Sequence, residues 1–177
     1  LAQGELEKGC MAARAALTIK ADSTPANLVL LSEDLNRENW KSALDRLERV
    51  LSPKDSFFTV ASSQKYTQPL LSPDTAHFAA GQLNKPELLA AHLCLRLAEQ
   101  QKDDKSQQSY LAKALNWSPS FLEAIIRLAR LEAASSSRKA LKRLETAFKA
   151  VPHQRLANQI AEAVSYTHLT LPTKSSG

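Results

Sequence analysis

The sequence predicts an all-α chain, an α-solenoid in which helical hairpins stack side by side. Three observations carry that prediction. Only four of the 177 residues are glycine and 6% are aromatic, while Ala, Leu, Lys, Glu and Arg abound, a composition that favours helices and starves strands of the β-branched and aromatic residues they prefer. One pattern of small and large apolar residues recurs with a period of about three dozen positions, the interval of a helical-repeat array. Prolines stand just inside the expected helix starts, where a missing N–H costs least.

The recurring pattern is clearest late in the chain. Ala140, Leu144 and Ala147 are followed by Pro152, in steps of four, three and five. The first two steps hold the side chains on one helical face, and the proline stops the helix. Ala114, Leu115 and Pro119 of "ALNWSP" stand one full period before Ala147, Phe148 and Pro152 of "AFKAVP". With Gln107 and Leu111 they give a second copy of the face. Ala43, Leu47 and Val50 give a third, and Gly9, Ala13 and Ala16 a fourth, one period earlier again. Small residues at the repeated positions let a neighbouring helix approach closely.

Helices are expected, in order, at 2–20, 25–36, 39–51, 86–101, 105–116, 119–133, 137–150 and 153–163. The leading helix carries the first copy of the face. The next six pair around the polar turns "NREN", "KDDK" and "SSS". Pro25, Pro86 and Pro119 mark helix starts, with Ser23, Asn84 and Ser118 as capping candidates. The last helix continues the stack or covers its end, as a terminal repeat must. Residues 52–85 break the rhythm, because Pro69 and Pro73 interrupt them, and they read as a distorted repeat with short helices near 57–65 and 75–83. An inserted binding loop is the alternative.

This spacing resembles the tetratricopeptide repeat, whose second helix carries small, aromatic, small and proline at those offsets. The repeats are degenerate: Gln107 replaces the first small residue, Pro53 arrives two positions early, and the expected glycines are missing. "RKALKRLETAFKAVPHQRLA", with "NRENWKSALDRLERV" less distinctively, resembles HemY-like proteins, bacterial inner-membrane repeat proteins associated with heme biosynthesis. The likeness covers residues 26–51 and 86–163. It implies a protein-interaction scaffold whose full-length parent is anchored in the inner membrane by a segment preceding Leu1. Alternatives are a groove for porphyrin or another small anion, and a generic repeat adaptor unrelated to heme.

The closing segment reads differently. Val164 to Thr173, "VSYTHLTLPT", back-translates to GTC TCT TAT ACA CAT CTG ACG CTG CCG ACG, which resembles the adapter of transposase-based sequencing libraries. Residues 164–177 are therefore expected to be a disordered, adapter-derived tail, excluded from fold reasoning.

Several function classes find no support. The net charge of +5 is spread without a dense basic block, so nucleic acid is not an expected partner. Cys10 and Cys94 stand apart, outside any metal-ligand spacing, and His77, His92 and His153 are scattered, so no metal or cofactor is expected. No apolar run reaches the roughly 18 residues of a membrane span. With no nucleophile–base pair and no phosphate loop, an enzyme is not expected.

What remains is a surface. Arg96 and Arg130, one period apart, take equivalent positions on successive first helices. Together with His92, Glu99 and Glu123 they are expected to line a concave face, where guanidinium forks could meet carboxylates of an acidic segment. A second basic group, Arg138, Lys139, Lys142, Arg143 and Lys149, is expected on an outer, solvated helix face, where it could lean toward anionic lipid.

Overall fold

The computed structural model describes residues 3–51 and 85–169. They are all-helical, forming α1 (Gln3–Ile19), α2 (Thr24–Asn36), α3 (Trp40–Leu51), α4 (Pro86–Gln100), α5 (Asp104–Trp117), α6 (Leu122–Ser135), α7 (Ser137–Ala150) and α8 (Gln154–Leu169). The expected short helices near 57–65 and 75–83 fall outside the described residues.

Local chemistry explains most boundaries. Ser23 caps α2 in extended backbone with proline following, though its side chain makes no capping bond. Asp103 and Ser136 are the side-chain caps, accepting hydrogen bonds from the Ser106 N–H of α5 and the Lys139 N–H of α7. The α2–α3 turn closes with the Asn39 N–H on the Asp34 carbonyl and the Glu38 N–H on the Leu35 carbonyl. That pair of bonds is a Schellman motif, and Glu38 sits at its left-handed position with φ 56°. The sequence lacks the glycine expected in such a turn, and Glu38 takes its place under strain.

Two expectations are corrected. Helix α6 begins at Leu122 instead of Pro119, and Ser118 caps the end of α5 instead of the start of α6. Extended backbone is favoured before proline, so Ser118-Pro119 breaks the chain, and the Phe121 N–H returns to the Ser118 carbonyl before the helix starts. At the other end, α8 runs past Ala163 to Leu169, so residues 164–169 are helical instead of disordered. No Gly or Pro stands between Val164 and Leu169, so nothing blocks the hydrogen-bond ladder there. The rest of the tail lies outside the described residues.

The chain divides into two compact units, residues 1–97 and 98–177, and the division falls within α4. In the first, α2 packs on both α1 and α3. Helices α2 and α4 are buried nearly all round: Leu28, Leu30, Leu31 and Leu35 on one, Leu89, Leu93, Cys94 and Leu97 on the other. In the second unit α6 packs on α5 and α7, and α8 on α7 and α6. Its core gathers Ile125, Ile126, Ala129, Ala140, Leu144 and Leu156.

The repeated face turns toward the core in every copy, with Gly9 and Gln107 only half-buried. Ala43, Leu47 and Val50 are buried on α3, Leu111 and Ala114 on α5, Ala140 and Leu144 on α7, and Ala13 on α1. Ala147 and Ala16 pack against their cores from partly buried positions. Helices α3 and α7 carry the opposite character on their other face, with Lys41, Asp45 and Arg49 or Arg138, Lys142 and Lys149 in solvent.

The hairpins share a further device. Arg46 and Arg143 each follow the small residue of the face by three positions, and each reaches back to an acid near the end of the preceding helix. The Arg46 Nε donates to Asp34 at 2.6 Å. Arg143 donates to Glu132 through Nε and a terminal nitrogen, at 2.7 and 2.8 Å. Asp34 and Glu132 are both buried, so the arginines supply the counter-charge that burial demands. In α5 the same register holds Tyr110, and in α1 Ala12.

Candidate functional site

Helix α6 presents Glu123, Arg127 and Arg130 at steps of four and three, which set them along one face. Helix α8 answers with Arg155, Gln159 and Glu162 at the same steps. Arg155 donates to Glu123 at 2.9 Å, and the Nε of Arg130 donates to the Gln159 carbonyl oxygen at 2.9 Å. Gln159 in turn donates to Glu162 at 2.7 Å. The rungs advance in the same direction on both helices, so α6 and α8 run parallel. Arg127, on the same face, pairs with Glu99 at the end of α4, 2.7 Å away, and with Glu123 at 3.1 Å. A ladder of alternating charge, Glu99–Arg127–Glu123–Arg155, thus crosses one wall of the second unit.

The charge ladder holds Glu123 ionised. Partial burial works against the Glu123 carboxylate, yet the hydrogen bonds from Arg127 and Arg155 overcome it and keep its pKa below the usual carboxylate range. Arg130 differs from its neighbours. It is exposed, and among the described residues it makes no ion pair, its Nε being spent on the neutral Gln159. Its two terminal nitrogens point no charge-neutralising bond at any described residue.

Two hollows flank that guanidinium. One, of about 320 Å³, lies between the end of α4, α5 and α6, with Ala98, Leu111 and Leu131 as its apolar lining and Glu99, Gln107, Arg127 and Arg130 as its polar groups. The other, of about 180 Å³, lies among α6, α7 and α8 and includes Ala133, Leu144, Gln159 and Glu162. A third, of about 230 Å³, is almost wholly apolar and opens beside Val151 and His153 at the hairpin turns.

Of the residues singled out from the sequence, Glu99, Glu123 and Arg130 belong to the second unit, and all three stand on this wall. His92 and Arg96 lie one turn apart on α4 within the first unit. His92 is half-buried, and that burial, with the Arg96 charge beside it, pushes its pKa below the ordinary imidazole value. Sequence reasoning missed Arg127 and Arg155, which bind the acids together. The Glu123–Arg127 spacing of four was a visible signal; Arg155 reaches Glu123 from a helix two elements further on and had none.

The outer basic face also needs correction. Arg143 is not a solvated outer charge, because it turns onto the buried Glu132 at 2.7 Å, whereas Lys139 stays exposed while reaching the same carboxylate at 3.0 Å. Arg138, Lys139, Lys142 and Lys149 of that group remain exposed to solvent.

No family model, curated protein or solved structure matches this chain. Its function has to be argued from the wall itself. Among the described residues no group of three or more His, Cys, Asp or Glu side chains could hold a metal ion. No described helix is long and apolar enough to cross a membrane.

Proposed function

We propose that this chain is a helical-repeat scaffold of degenerate tetratricopeptide type, whose second unit holds a protein partner against the wall formed by α6 and α8. The observation that carries this reading is Arg130, an arginine without an ion pair among the described residues, set between two hollows beside a paired ladder of Glu99, Arg127, Glu123 and Arg155. Repeat architecture is supported by the same face turning toward the core in four helices, and by α6 and α8 lying parallel as successive first helices would. A non-enzymatic role fits the way the wall's polar groups are spent on one another.

The resemblance of the α6–α8 sequence to HemY-like proteins directs the partner search to heme-pathway proteins at the bacterial inner membrane. A porphyrin as the ligand itself is less favoured, since the hollows beside Arg130 measure about 180 and 320 Å³. The larger stands at the bottom of the range of sites that enclose drug-sized ligands and the smaller below it, and a tetrapyrrole is larger than most such ligands.

The test is affinity capture by the wild-type chain and by Arg130→Glu side by side, followed by porphyrin titration read by Soret absorbance. The scaffold reading expects a protein retained in near-stoichiometric amount by the wild type and lost on charge reversal. A retained set indifferent to the reversal, or a saturable porphyrin shift, contradicts it.

A further inference from the structure

The larger hollow beside Arg130 has a composition that selects among anions. Its charged groups are Arg127, Arg130 and Glu99, two positive and one negative, leaving a surplus of one positive charge. A dianionic phosphate would overshoot that surplus and meet the Glu99 carboxylate; a single carboxylate balances it. The surplus resides on Arg130. Arg127 already serves Glu99 and Glu123, whereas Arg130 has committed only its Nε, to Gln159. The terminal edge of its planar guanidinium therefore remains for a two-point grip on a carboxylate.

The remaining lining sets the length of the guest. Ala98, Leu111 and Leu131 offer apolar surface for a methylene stem. Leu111 is buried, and the Gln107 carboxamide is held in place by donating to the Gln101 carbonyl at 3.0 Å. A hollow of about 320 Å³ is large enough for one side chain, and an aspartate would bring its charge with one methylene fewer to cover those three residues.

Resting on the scaffold reading, we propose that this hollow seats a glutamate side chain of the protein partner, with its carboxylate on Arg130 and its stem against Leu111 and Leu131.

The experiment uses the whole chain and a short fluorescein-labelled peptide of alternating Glu and Ala, with its Gln counterpart as control, read by fluorescence anisotropy at low ionic strength. Binding of the Glu peptide alone is expected. Arg130→Ala should weaken it roughly tenfold, the scale of a charge-assisted hydrogen-bond pair, and Arg130→Lys should weaken it less. Arg138→Ala, an exposed cation on α7, should leave it unchanged and so separates the hollow from the general field of the molecule. Melting curves of each variant check that the fold is kept. Equal affinity for the two peptides, or equal effects of Arg130→Ala and Arg138→Ala, overturns the proposal. So does saturation by free glutarate with no response to peptide, which assigns the hollow to a small acid. If Arg130→Glu still loses the captured partner while the two peptides bind alike, the scaffold stands and the glutamate falls.

Discussion

Glu132 shows how single residues hold this fold together. Its carboxylate is 3% exposed, and the Arg143 hydrogen bonds hold its pKa below the usual range against the opposing effect of burial, with Lys139 adding to the same side. A depressed carboxylate stabilises the folded chain above its unfolded pKa and loses that contribution as pH falls through the folded value. We therefore expect Glu132→Gln to cost about 2 kcal/mol at neutral pH, since it leaves the Arg143 charge without its partner. The cost should shrink as pH falls below the unfolded pKa of about 4.3 and on through the lowered folded value, where the wild-type carboxylate becomes protonated in both states. Urea melts across that range check both points. His92 titrates in a different window. Its folded pKa is lowered, so the unfolded chain takes up the proton first, and stability falls as pH drops below about 6.5. His92→Gln should flatten the stability profile between about pH 7 and 5, while leaving the acid limb set by Glu132 in place. At this scale the sequence is only partly legible: the Glu123–Arg127 pair is written in its spacing, whereas Arg143 on Glu132 needed knowledge of which helix lies behind α7.

At the scale of elements, the α2–α3 turn and the repeated face make separate demands. Glu38 occupies a left-handed position that glycine adopts without penalty. Glu38→Gly is expected to stabilise the chain by roughly 0.5–1 kcal/mol, the relief of strain less the added freedom of the unfolded chain. A rise in melting temperature reports it. The face makes the opposite demand, because Ala43, Ala114 and Ala140 are 2% exposed or less and leave no room for bulk. Ala114→Leu should cost about 1–3 kcal/mol by overpacking, measured by denaturant unfolding. Periodicity made these faces readable, since a buried stripe must recur wherever helices meet in the same way. The start of α6 was not readable from Pro119 alone, because a proline after Ser118 suits a connecting turn as well as a first helical position. The far end of α8 misled for a different reason: Thr, Ser and Tyr are poor helix formers but not breakers, and the ladder continues through them to Leu169.

Over the whole molecule, charge is distributed by purpose. Buried acids are met by arginines inside the hairpins, exposed cations of α7 stay in solvent, and the wall of α6 and α8 alternates sign until it reaches Arg130. Composition alone could show the modest surplus of positive charge; where it remains unneutralised depends on pairings that only the folded chain displays. The claim that this wall meets a partner is tested most directly by photo-crosslinking. A benzophenone side chain placed at Gln107 or Gln159, on either flank of Arg130, is compared in cells with one at Lys142 or Glu145 on the exposed face of α7. We expect crosslinks to one protein from the first pair and none from the second. Equal crosslinking from both faces, or crosslinks from α7 alone, contradicts the account.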